Sequence, residues 1–224
     1  MLTEADILWS DNQMLAVNKP AGLASQPSRE HPDNLEDEAK AWVKAKFAKP
    51  GNVFLHAVHR LDCPVSGIVV FARTSKALSR LTAAIRERAC RKVYLALLDG
   101  PPPAPAGDLV DWLLHDEFQA RTVPEGSPGA QRAELRYETL AAAADRVLVR
   151  IDLLTGRYHQ IRIQFGNRGC PVVGDRRYGA KSRLGDDRIA LHHWRLEIEH
   201  PVSHEALRLE APVPEFMRIG GFQG

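Results

Sequence analysis

"HRLDCPVSGIVVFARTSK", residues 59–76, places His59, Arg60 and Asp62 within four positions and then runs into the apolar stretch Gly67–Ala72. The β-branched run Ile68-Val69-Val70 reads as a short buried strand. Thr74 or Ser75 stands where a helix N-cap belongs, and Ala77, Leu78, Leu81, Ala84 and Ile85 recur at helical spacing behind it. A buried strand cannot take unpaired charges at its start. The three polar groups therefore either satisfy one another as a structural corner or form a site.

Outward from this stretch, ILWSD and MLAVNKPAG flank a turn at Asp11-Asn12 and predict a hairpin. LEDEAKAWVKAKF, with Leu35, Ala39, Trp42, Val43 and Phe47 in register, predicts a helix capped by Asp33 or Asn34. RKVYLALLDG is a strand that ends at PPPAPAGD, a surface loop or a link between half-domains. Beyond it AELRYETL, VLVRIDLL, IALHHWRLEIEH and EALRLEAP read as strands. GRYHQIRIQFGNRG reads as a short helix closed by Gly166 or Gly169, and GDRRYGAKSRLGDD as polar loop. Most strands follow one another through short turns, which favours an α+β fold with a mixed, mainly antiparallel sheet and flanking helices.

A chain of 224 residues, 44% hydrophobic and 26% charged, has the composition of a soluble globular protein. No apolar run approaches the roughly 20 residues of a membrane span, and MLTEADILWSD lacks the basic start of a signal peptide. Cys63, Cys90 and Cys170 are odd in number and far apart, which fits a reducing cytoplasm. Net charge is only +2, but residues 73–92 gather basic side chains against Glu87 alone, and residues 157–183 against Asp175 alone. Two Arg-rich segments suit a surface that faces a polyanion.

Other chemistries find little support in the sequence. Leu61 breaks the His-Arg-Asp spacing of a kinase catalytic loop, and no glycine-rich phosphate loop accompanies it. Nine histidines occur without an HExxH motif, so no metal site is read. Ser66 lies in PVSGI rather than GxSxG, and Cys63 is better read as a small residue beside a turn than as a thiolate nucleophile. Asp62 is different, because burial and a nearby guanidinium together can make an ionised, partly desolvated carboxylate fit for nucleophilic or general-base work. An aspartate that starts a strand and pairs with an arginine accounts for the local sequence equally well. GRYHQIR then adds a second group, with His159 and Arg162 on one helical face and Arg157 just before it.

NKPAGLASQP at 18–27, HRLD with Ser66-Gly67 four positions on, RKVYLAL at 91–97, and TGRYHQIRIQFGNRGCPVVGDRRYG at 155–179 occur in the order and spacing of the RluA-type pseudouridine synthases. The chain resembles that family from about Ile7 to Leu207. The resemblance implies the pseudouridine synthase fold with a central RNA-binding cleft. It implies one catalytic domain over residues 1–224, with no separate N-terminal RNA-binding domain. The implied reaction detaches uracil from ribose, turns it, and rejoins it through carbon 5, with neither cofactor nor metal. Asp62 would be the catalytic carboxylate, Arg162 would keep it charged, and Tyr94 would lie against the uracil ring with Leu191 near it.

Arg60 would stack into the space left by a flipped base. His59 and Lys19 would support the turn or contact phosphate, and Arg157 and His159 would add substrate contacts. Cys63 and Val65 stand where many relatives carry Arg and Thr, and Tyr158 replaces the usual Thr. The implied partner is structured ribosomal or transfer RNA, bound by a cytoplasmic monomer. The alternative is a non-catalytic RNA-binding assembly factor on the same fold, against which the intact Asp62, Tyr94 and Arg162 set argues.

Overall fold

The computed structural model describes residues 1–185 and 187–223. Contacts divide the chain into two compact units, residues 1–90 with 193–212 and residues 91–192 with 213 onward. The boundary falls at Cys90/Arg91 and not at the prolines. The prolines, residues 101–105, join two strands of the same unit, and the rest of PPPAPAGD, Ala106–Asp108, already belongs to the second of them.

In the first unit, β1 (Ile7–Ser10) and β2 (Met14–Lys19) form the expected hairpin. The Asp11 carboxylate shapes its turn by accepting the N–H groups of Gln13 at 2.7 Å and Met14 at 2.8 Å. Helix α1 (Leu35–Lys46) starts at Asn34, whose side chain accepts the Asp37 N–H. Leu35, Ala39 and Val43 are buried, whereas Phe47 at the helix end is exposed, so the apolar stripe is one turn shorter than its spacing suggests. After the two-residue β3 (His56–Ala57) comes β4 (Ser66–Ala72), buried along its whole length. It pairs antiparallel with β2, with Lys19 opposite Gly67. Thr74 caps α2 (Ser75–Arg86), and Ala77 and Leu81 face inward.

The second unit opens with β5 (Arg91–Asp99). It continues through β6 (Ala106–Asp116), β7 (Gln119–Val123), β8 (Gln131–Ala143) and β9 (Arg146–Leu153), all paired antiparallel. The β6–β7 hairpin has no counterpart in the sequence reading. Along β6 only Leu109 and Leu113 are buried, a spacing of four that hides the alternation of a strand. Helix α3 (Gln160–Gly166) packs Ile163 against Leu113, Ala120 and Ala133. The strand β10 (Leu191–Glu199) carries the chain back into the first unit, where its second half pairs with β11 (Ala206–Glu210). There Leu196, Ile198, Leu207 and Leu209 join Met14, Ala16, Ile68, Val70, Ala77 and Leu81 in one apolar core. The α+β, mainly antiparallel expectation is borne out.

Candidate active site

The first unit builds the Asp62 loop. Asp62 is half-buried, in irregular backbone between β3 and β4, and its carbonyl accepts the Val65 N–H at 3.0 Å to close a turn through Cys63-Pro64. The loop is held by the NKPAGLAS segment that follows β2. Ser25 Oγ accepts the Leu61 N–H at 3.0 Å and donates to the Leu61 carbonyl at 2.9 Å. Gly22 N–H donates to the Cys63 carbonyl at 2.8 Å, and the Cys63 thiol donates back to the Gly22 carbonyl at 3.2 Å. Both neighbours of Asp62 are therefore pinned through their backbone, which leaves the carboxylate few ways to move.

Lys19 is wholly buried, and its ammonium donates to the carbonyls of Pro20 at 2.9 Å, Leu23 at 2.6 Å and Cys63 at 3.1 Å. Burial pulls its pKa down to about 8, while the adjacent Cys63 and Asp62 pull it up. Of the two roles read for Lys19, this geometry is that of turn support, since a side chain with no exposed surface does not reach a phosphate.

His59 also faces inward. Its Nε2 accepts the Val70 N–H at 3.3 Å, and its ring meets that of His193 edge-on at 5.5 Å. Arg60, by contrast, is exposed on the same loop. Gly67, just beyond, has φ +113°, and a Cβ there would stand 2.6 Å from the His193 nitrogen and 2.8 Å from its carbonyl carbon. Only glycine lets these backbones approach so closely.

The second unit carries Tyr94, Leu191 and the GRYHQIR group. Tyr94 is buried in β5, opposite Ile151 of β9. Leu191 is buried at the head of β10, beside Ala190, whose N–H and carbonyl bond to Val173 and Leu97. Thr155 and Gln160 anchor the start of the motif. Thr155 Oγ1 accepts the Glu134 N–H and donates to Gln160 Oε1, each at 2.8 Å, and Gln160 Nε2 donates to the Glu134 carbonyl at 3.1 Å. Arg157, half-buried, donates through Nε to the Arg132 carbonyl at 3.1 Å.

His159 does not share a helical face with Arg162. It is the residue before α3, in a left-handed conformation at φ 52°, stacked on Tyr158 with ring centres 3.8 Å apart. Tyr178 Oη accepts the Ala120 N–H at 2.9 Å and shares a hydrogen bond with His159 Nδ1 at 2.8 Å. Burial, reinforced by Arg162 and Arg177, drives the His159 pKa down to about 3. The imidazole is thus neutral at physiological pH, and any contact it makes with RNA is not that of a cation.

Arg162 is buried and paired with Asp175, its Nε 2.6 Å from Oδ2 and its Nη2 3.0 Å from Oδ1. Asp175 has no role assigned from its sequence context. Its signal was its position as the lone acid in the second basic segment. That segment is in good part structural, since Arg168 pairs with Asp111 at 2.9 Å and Arg177 donates to the Phe118 carbonyl. Among the described residues, no three His, Cys, Asp or Glu side chains gather as a metal would require. Nor, among the described residues, is any helix long and apolar enough to cross a membrane.

A family model described as RNA pseudouridylate synthase matches residues 13–167, more than half of the chain. The uncharacterized RNA pseudouridine synthase YhcT of Bacillus subtilis is 33% identical over 220 residues, which cover 96% of this chain and 70% of that protein. The ribosomal large subunit pseudouridine synthase D of Vibrio cholerae is 30% identical over 225 residues, covering 95% and 68%. The solved structure of human RNA pseudouridylate synthase domain containing 4 shares the fold, with a TM-score of 0.79 at 24% identity over 94% of this chain and 89% of that one.

The chain belongs to the RNA pseudouridylate synthase family, as an RluA-type member. Its reaction is accordingly the isomerisation of uridine to pseudouridine in RNA.

Proposed function

We propose that this enzyme modifies uridine in structured RNA, ribosomal RNA first, with Asp62 as the catalytic carboxylate and Tyr94 and Arg162 as the other catalytic residues. The observation that carries the reading is the Asp62 loop, in which Ser25 and Gly22 fix the backbone on both sides of a half-buried carboxylate. A strand-start aspartate serving only as a corner needs no such double hold. A nucleophile or base that must meet one atom of a flipped uridine does. The ribosomal target is supported by the names of relatives such as the Vibrio cholerae large subunit synthase.

Arg60, exposed two residues from Asp62, is suited to stack into the space that the flipped base vacates. His59 and Lys19 serve the loop from behind, and Leu191 lines the uracil site with Tyr94. Arg157 and His159 shape the substrate surface of the second unit. The two units together form the catalytic domain, acting as a monomer in the cytoplasm. Transfer RNA is the other candidate target, and one experiment addresses both.

Pseudouridines are mapped in total RNA from cells with and without the gene, complemented by wild type or by Asp62→Asn. A position lost on deletion and restored by wild type alone supports the reading and names the RNA. Restoration by Asp62→Asn overturns it.

A further inference from the structure

The GDRRYG turn, residues 174–179, has no role in the reaction as described, yet Asp175 is one of the most deeply buried charged groups in the chain at 1% exposure. We propose that this turn is a positioning element for Arg162, with Asp175 fixing the edge of the guanidinium and Tyr178 its face. The inference rests on the catalytic role proposed above for Arg162.

Three observations meet at this turn. First, the Asp175 carboxylate takes Nε and Nη2 of Arg162 side-on, at 2.6 and 3.0 Å, in the bidentate geometry that fixes a guanidinium plane as well as its place. The opposite edge then keeps a constant direction for an anionic group of the reaction. Second, the guanidinium carbon lies 5.3 Å from the centre of the Tyr178 ring, and the Tyr178 hydroxyl is itself tied to the Ala120 N–H and to His159. Third, the turn is rigid. The Asp175 carbonyl accepts the N–H groups of Tyr178 and Ala180 at 3.1 Å each, and Gly179 completes the turn at φ 98°. A Cβ on Gly166, the last residue of α3, would come within 2.7 Å of the Tyr178 carbonyl oxygen, so the helix that carries Arg162 is packed hard against the turn that orients it.

A buried arginine needs a counter-charge merely to be tolerated. Stability and positioning are therefore separated by two variants. Asp175→Glu keeps the charge, and with it the fold, but moves the carboxylate out by one methylene. Its expected effect is a kcat about tenfold below wild type with KM within about threefold, since sub-ångström misplacement of a reacting group acts on the transition state rather than on binding. Asp175→Asn removes the charge, and the expected kcat loss is about 100-fold. That loss should shrink to less than about threefold in an Arg162→Met background, where there is no guanidinium left to orient.

A wild-type kcat in Asp175→Glu overturns the proposal, as does an Asp175→Asn effect that persists in full without Arg162. Should Asp175→Asn fail to fold, the Asp175→Glu arm decides alone. Failure of the underlying reading is seen separately, as full turnover by Asp62→Asn or by Arg162→Met.

Discussion

Ser25 holds Leu61 by both ends of its peptide groups, one hydroxyl accepting the N–H at 3.0 Å and donating to the carbonyl at 2.9 Å. It does so across 36 positions of sequence, immediately before Asp62. Ser25→Ala leaves two buried backbone groups without that partner and is expected to cost about 1–3 kcal/mol of stability. Because the same bonds set the path of the Asp62 backbone, kcat should fall about tenfold well below the melting temperature. Denaturant unfolding and single-turnover kinetics check the two effects. Unchanged kcat would show that the hold serves folding alone.

Gly67 faces the His193 backbone at a distance where no Cβ fits, and it does so at positive φ. Gly67→Ala is expected to destabilise the first unit by about 3 kcal/mol or more, through backbone strain and overpacking together. The check is a melting curve, and a shift of a degree or two would contradict the expectation.

His159 makes stability depend on pH in a defined direction. Its folded pKa of about 3 lies below the ordinary 6.5, so the unfolded chain binds the proton first as pH falls. Its contribution is fully present above pH 6.5 and is lost progressively between 6.5 and 3. Between pH 7.5 and 5 wild type should lose on the order of 2 kcal/mol more than His159→Gln does. Urea titrations of both proteins at the two pH values measure this difference directly, and parallel losses would contradict it.

The basic segments should divide into two kinds of cation. Lys76 and Arg88 are exposed, and replacing either by Ala should reduce the salt dependence of RNA binding by about 0.7–0.9 in slope. Arg168 is tied to Asp111 and to the Gln164 carbonyl. Arg168→Ala should leave the slope alone and instead lower stability by about 1 kcal/mol. Binding isotherms at several salt concentrations separate the two.

Local sequence determined a great deal here. The Asp11 turn, a helix cap at Asp33 or Asn34, another at Thr74 or Ser75, and the buried Ile68–Ala72 strand follow from chemistry within a few residues, and the fold uses Asn34 and Thr74 as the caps. The motif order was enough to name the family. The β6–β7 hairpin escaped because its burial comes from β8 and α3, not from a pattern along its own residues. Basic clustering overstated the polyanion surface, because composition does not show which arginines are already held by Asp111, Asp175 or a carbonyl.

Roles were decided only in three dimensions. Lys19 is open in sequence between turn support and a phosphate contact, and His159 reads there as a substrate contact. Burial makes the first a clamp for three carbonyls and the second a neutral imidazole hydrogen-bonded to Tyr178. Ser25 and Asp175 were ordinary letters within quoted motifs until the fold brought them to Leu61 and Arg162, 36 and 13 positions away. A residue's type and its near neighbours set what it can do locally. Whether its charge stays, and what that charge holds, depends on desolvation and on partners that only the folded chain supplies.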